Sequence, residues 1–429
     1  MTDLAQSGDA PRPKMSPPAD QTGIVGWLKR NLFSSWGNSL TTIVLIACVV
    51  WIIDWFIDWG LVNATFVAAN GPECGKNAGA CWALIGEKYR YIFFGSFPYE
   101  QHWRPLFACI AMLAMLLASA DRRMWNWRLL VIWSVGSFVT FLLMFGELRF
   151  PLTIFLIVGL VVGGVGMGLR AGIASPREML TYRVLAIVGG VGLAGRIAGV
   201  IPAWGLEINA FSYVETGLWG GLPVTMILAT YGLVFAFPYG ILLALGRRSN
   251  LPLIKGLCVG FIELIRGVPL ISLLIMASVM LPLFLPTGSN IDKFLRALVA
   301  VIFFAGAYIA EIIRGGLQSL PKGQFEAADA MGLNYVQSTT LIVLPQALRV
   351  VIPPLINTFI GFFKDTSLVL IIGIFDFLNT ANQALVDPNW AGFPGEVYLF
   401  AAAIYFIFCY SMSRYSKYLE IELNKGTRR

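Results

Sequence analysis

After residue 37, runs of apolar residues long enough to cross a lipid bilayer recur along nearly the whole chain. A helical crossing needs about 20 such residues. Taken in order, the runs fall near residues 38–57, 104–120, 129–146, 151–169, 184–202, 219–246, 268–285, 296–313, 347–375 and 397–414. In lipid a segment must satisfy its own backbone donors and acceptors, which a helix does internally. The pattern therefore predicts an all-α, polytopic transmembrane helical bundle of about ten spans. The range is eight to ten, because the Gly-rich 151–202 region can hold shorter or re-entrant pieces. With 57% of the 429 residues hydrophobic and only 13% charged, an ordinary water-soluble globular protein is excluded.

The formal charge of +7 raises the question of nucleic acid, but the basic residues are distributed between apolar runs and form no single patch. Arg122, Arg123 and Arg128; Arg170, Arg177 and Arg183; Arg247, Arg248 and Lys255; and Arg414, Lys417, Lys425, Arg428 and Arg429 fall on alternate loops. Positive-inside topology accounts for that alternation and places both termini in the cytoplasm. Residues 1–37 are polar and Pro-rich, without the apolar core of a signal peptide, and read as a disordered cytoplasmic tail. Trp51, Trp55 and Trp59 recur every four residues beside Asp54 and Asp58. That stripe suits an interfacial anchor, with an intramembrane proton site at the two carboxylates as the alternative.

The longest outward loop, 60–103, contains Cys74 and Cys81 in a stretch rich in Gly, Ala and Asn. The pair suits a disulfide if that side faces an oxidising periplasm, the alternative being two free thiols. His102 is the single histidine, so metal clusters and histidine-dependent catalytic pairs have almost nothing to draw on. Gly190 to Gly195 spells G-x-G-x-x-G, but inside an apolar run, where small residues serve close helix approach better than nucleotide binding. The chain contains no G-x-x-x-x-G-K-[ST] phosphate loop. Dependence on ATP would have to come through another chain.

The most specific segment is Glu326-Ala327-Ala328-Asp329-Ala330-Met331-Gly332, followed after nine residues by Ile342-Val343-Leu344-Pro345. Residues 324–331 favour a short helix, Gly332 can take the left-handed turn that ends it, and Asn334 can cap the next. Pro345 suits the first turn of the following span. At every defined position the segment resembles the E-A-A-x-x-x-G-x(9)-I-x-L-P loop of ABC importer permeases. The stretches 261–270, 308–316 and 363–368 are similar to signatures of the polar amino acid permease family. The likeness covers residues 215–425, and the preceding half most resembles the M-type subunit of general L-amino acid importers of proteobacteria.

That resemblance implies a tail at 1–37, an N-terminal transmembrane extension at 38–214, and an ABC type I importer permease core at 215–429 with a cytoplasmic coupling loop at 320–346. It implies an inner-membrane transport subunit, not an enzyme, that moves L-amino acids from periplasm to cytoplasm by alternating access. The expected partners are two copies of an ABC ATPase subunit, a paralogous Q-type permease, a periplasmic amino-acid-binding protein and membrane lipid, with no nucleic acid. No cofactor is expected on this chain, since ATP and Mg would sit on the ATPase. The coupling residues implied are Glu326, Ala327, Ala328, Gly332, Ile342, Leu344 and Pro345.

For the substrate path, Lys364, Asp365, Thr366 and Ser367 form a compact polar run in an apolar span, with Asn357 about two turns earlier. Such groups need pairing or water in a membrane, so a protein-lined path and a Lys364–Asp365 structural pair are both open. Glu263 with Arg266, and Glu311 with Arg314, read as helix-end ion pairs. A secondary amino acid carrier or channel, or an intramembrane enzyme, is the competing class. A carrier should show two related halves with interrupted helices, and an enzyme a cluster of catalytic groups.

Overall fold

The computed structural model describes residues 23–76, 79–125, 127–147, 156–157, 159–160, 163–164, 166–167, 176–197, 211–286 and 291–424. They divide into two units. The smaller contains α1 (Gly23–Asn31) and α2 (Trp36–Ile57). Ser35 caps α2 by accepting from Asn38 N at 3.2 Å, and a π-turn at Asp58–Val62 ends it. Trp55 and Trp59 stack with centroids 5.9 Å apart, while Asp58 accepts from Asn63 Nδ2 at 2.9 Å. The following loop folds back on this turn. Ala80 N donates to Trp59 O at 2.7 Å, Trp82 Nε1 donates to Gly60 O at 2.7 Å, and Cys74 is bonded to Cys81 with Cα atoms 5.7 Å apart.

The larger unit holds α3 (Trp82–Phe94) from Ala83 onward, then α4 (Trp103–Ala120), α5 (Trp127–Phe145) and α6 (Pro176–Ile197). A two-residue strand β1 (Gly220–Gly221) opens α7 (Leu222–Arg247). After α8 (Pro252–Gly267) the chain bends by 106° into α9 (Leu270–Phe284). Next come α10 (Lys293–Gln318) and α11 (Lys322–Ala330). A helical run, α12 (Tyr335–Ile372), leads to β2 (Phe375–Asp376), α13 (Phe377–Ala384) and α14 (Pro394–Asn424).

The centre of the core is the α7–α10 pair, brought close by small residues. A Cβ added at Gly240 would lie 2.9 Å from Gly306 O, and one at Gly316 would lie 2.9 Å from Ala347 O on α12. Larger residues there would push the helices apart. Buried Arg104 on α4 ties the neighbouring segments together, its Nε donating to Leu143 O at 2.7 Å and its Nη1 to Ser212 O at 2.9 Å.

Among the described residues seven helices are long and apolar enough to cross a membrane, or eight if the bent pair α8–α9 is one span. The 151–169 run lies largely outside the described residues. Of the 184–202 run, the described part belongs to α6, whose apolar stretch Met179–Gly192 is shorter than a span. The expected span at 268–285 is the second arm of a helix pair, Pro252–Gly267 and Leu270–Phe284, bent by 106°, because Pro269 has no N–H to continue α8. Residues 190–195 lie within α6, as a small-residue helical stretch requires.

Candidate functional site

At one end of the core, α11 is short because Pro321 precedes it and Gly332 terminates it. Gly332 has φ +71°, a conformation that only glycine adopts without strain. Gly332 N donates to Asp329 O at 2.9 Å and Leu333 N to Ala328 O at 3.2 Å, the paired bonds of a Schellman turn. Two residues on, Asn334 accepts from Gln337 N at 2.9 Å while Asn334 N donates to Gln337 Oε1 at 3.1 Å. That reciprocal capping box fixes the start of α12.

Ala328 is buried, whereas Glu326, Ala327 and Gly332 are exposed, as are Met331, Tyr335 and Val336 beside them. Ile342 is half-buried, Leu344 buried and Pro345 exposed. Pro345 stands in the first turn of the α-helical segment Leu344–Asp365, which follows a π-turn at Ser338–Val343 within the helical run that begins at Tyr335.

Two contacts fasten this knob to the core. Gln346 Nε2 donates to Gln324 Oε1 at 2.9 Å, and the Arg248 guanidinium lies 5.2 Å from the Phe325 ring centroid. The adjacent Arg247 reaches Glu263 at 3.0 Å and Glu311 at 3.2 Å. Glu311 also pairs with Arg314 and, at 3.7 Å, with Arg266. The Glu311–Arg314 pair is thus present, but Glu263 and Arg266 do not pair with each other. The close α7–α10 packing brings Arg247 to both Glu263 and Glu311, and Glu311 collects three arginines.

On α12, Asn357 and Lys364 are exposed, Asp365 and Ser367 half-buried and Thr366 buried. Asn357 and Lys364 share a face by their seven-residue spacing. No ion pair joins Lys364 to Asp365 among the described residues. The Thr366 hydroxyl donates to Phe363 O at 2.9 Å, so its proton is used within its own helix.

At the end of α12 lies a polar cluster that the apolar pattern did not signal. Gly373 (φ +71°) breaks the helix, β2 pairs in parallel with β1 through Gly220↔Phe375 and Gly221↔Asp376, and α13 begins. Asp376 is fully buried and caps α13, accepting from Asn379 N at 3.1 Å and Asn379 Nδ2 at 2.5 Å. Tyr405 Oη of α14 donates to the same carboxylate at 3.0 Å. Thr225 Oγ1 accepts from Phe377 N at 2.9 Å, and Asn379 Nδ2 reaches Ser367 O at 2.8 Å. The available signal was Gly373 followed three residues later by an Asp with helix-cap potential.

The family of binding-protein-dependent transport system inner membrane components matches residues 236–424. The inner membrane amino-acid ABC transporter permease protein YhdY of Escherichia coli (strain K12) is 42% identical over 403 residues, 93% of either chain. The glutamate/glutamine/aspartate/asparagine transport system permease protein BztC of Rhodobacter capsulatus is 38% identical over 436 residues, 98% of this chain and 97% of its own. A shorter relative, the probable glutamine ABC transporter permease protein GlnP of Bacillus subtilis, is 35% identical over 218 residues, covering 50% of this chain and 97% of its own. With likeness over nearly the full length of YhdY and BztC, this chain belongs to the binding-protein-dependent transport system inner membrane components and is a multi-pass inner-membrane permease subunit of an ABC importer.

Proposed function

We propose that this permease moves L-amino acids from periplasm to cytoplasm by alternating access, driven by ATP hydrolysed with Mg on a separate ATPase subunit. The observation that carries the coupling is the Glu326–Gly332 knob. It is a helix ended by a positive-φ glycine, exposing Met331, Tyr335 and Val336 while Gln324 and Phe325 bind it to α12 and α7. Exposed apolar residues on a rigid turn suit burial in a partner groove. We assign Glu326, Ala327, Ala328, Gly332, Ile342, Leu344 and Pro345 to this coupling element, on the cytoplasmic side with both termini. The complex would contain two ATPase copies, a Q-type permease and a periplasmic amino-acid-binding protein.

The substrate side of the proposal rests on the permeases similar to this chain, which are named for amino acids. On α12, Asn357, Lys364, Asp365 and Ser367 would line the path, where a carboxylate and an ammonium can replace hydration around a zwitterion. Thr366 would act by shaping that turn. The test is to copurify the complex, identify its subunits, and measure ATP-driven uptake of acidic, amide and apolar amino acids in proteoliposomes. A complex lacking an ATPase, or one that accumulates no amino acid, would overturn the reading. Gly332→Asp isolates the coupling claim. Asp tolerates the left-handed turn better than most residues, so the variant chiefly adds a charge to the docking face. Uptake should fall while membrane insertion is kept.

A further inference from the structure

The preceding half of the chain needs a task of its own, and α3 points to one. Phe93 packs its ring against Phe377 of α13 (centroids 5.4 Å) and Phe400 of α14 (5.9 Å). Thr380 Oγ1 lies 2.8 Å from Ile92 O and 3.0 Å from the carbonyls of Asp376 and Phe377. Donated to the nearest of the three, Ile92 O, the hydroxyl proton ties α13 to α3. Lys88 Nζ meets Asp387, just past α13, at 2.5 Å, and Gly71 N donates to Asn389 O at 2.7 Å. Around β1 the approach is glycine-limited. A Cβ on Gly221 would lie 2.1 Å from Phe93 O, and one on Gly95 would lie 2.6 Å from Gly220 Cα. These ties meet the bend in which Asp376 is buried.

We propose that α3 is a built-in brace of the outward bend, with Phe93 and Lys88 as positioning residues that hold Phe375–Asp387 against β1 through the transport cycle. The bend is gripped from within by Thr225, Ser367 and Tyr405 and from the extension by α3. It therefore moves with α3 as one body, and loosening it would free this end of the core to move without the binding protein. A permease without the extension would have to hold this bend by core contacts alone. The proposal rests on the transport reading for its direction, since it takes the α13 end as periplasmic.

The experiment uses the full complex in proteoliposomes. Phe93→Ala should leave complex yield near wild type while raising ATP hydrolysis in the absence of binding protein and lowering uptake per ATP. The change should reach about tenfold, the upper end for losing an aromatic pair. Phe93→Leu, which restores bulk, should lie closer to wild type. Wild-type coupling in Phe93→Ala at normal yield would overturn the brace. If Phe93→Ala fails to assemble, spin labels at exposed Glu87→Cys and Val386→Cys decide, in a background with Cys48→Ala, Cys258→Ala and Cys409→Ala. One narrow distance, the same in nucleotide-free and vanadate-trapped complex, supports a single body, and a second distance refutes it. Failure of the transport reading would show instead as wild-type complex without ATP-driven uptake, and the label distance in the isolated permease would still judge the brace.

Discussion

Replacing Gly332 offers the sharpest separation of backbone shape from surface chemistry at the turn proposed for coupling. A Cβ built at Gly332 meets nothing within 4 Å, so steric collision contributes nothing and the cost of a side chain is conformational. Holding a residue other than Gly, Asn or Asp at φ +71° costs about 1–2 kcal/mol. At that cost the competent turn is depopulated by roughly 5–30-fold wherever it is only marginally favoured. Apparent affinity for a partner that reads the turn falls by the same factor. The expected order of ATPase affinity is Gly and Asn together, then Ala, then Val, because Asn visits this region readily and a β-branched residue rarely does. Titrating purified ATPase subunit against permease in nanodiscs measures it, with uptake on the same material. If Val binds the ATPase as well as Asn does, the left-handed turn is not what the partner recognises.

Three further outcomes are expected. Non-reducing peptide mass spectrometry should recover Cys74 linked to Cys81, a short ring contributing about 2–3 kcal/mol in the chain-entropy view, whereas both as alkylatable thiols after oxidising preparation would remove the bridge. Asp365→Asn should lower uptake roughly tenfold with normal complex yield if the carboxylate meets the substrate ammonium, while low yield recovered by neutralising Lys364 would make it structural. Tyr405→Phe removes one donor from the buried Asp376 carboxylate and should lower the thermal stability of the detergent-solubilised complex by about 1.5–3 kcal/mol; an unchanged melting profile would show that the donor contributes nothing.

The turn at Gly332 was legible because its geometry is local: a positive-φ glycine and an Asn cap with Gln three residues on are written in adjacent residues. The central spans were legible because lipid makes their apolar runs continuous. What escaped was non-local or interrupted. The α8 half of the bent pair reads as a loop because Lys255, Glu263 and Arg266 dilute its apolar character, although Pro252 marks its start. Beyond the local Asp376–Asn379 cap, the cluster takes Thr225, Ser367 and Tyr405 from separate stretches, and nothing in the spacing of those three announces that they meet. The partner of Glu263 was misread because Arg266 is near in sequence while Arg247 is near in space. Thr366 shows the same limit, since sequence reveals a hydroxyl but not that Phe363 O already occupies it.

The unbroken run of α12 has a mechanical consequence. Its 38 residues extend about 57 Å at the usual helical rise, nearly twice the roughly 30 Å hydrocarbon core. Within it Pro353 and Pro354 stand in the helix interior, where missing N–H donors leave the backbone ladder weakest. Pro354 is nineteen residues from Tyr335 and eighteen from Ile372, so this soft point divides the run almost equally. Bending of α12 is therefore easiest near its middle, and it sets the angle between the capped Asn334 end and Thr366–Gly373, where the helix hands over to the bend that buries Asp376.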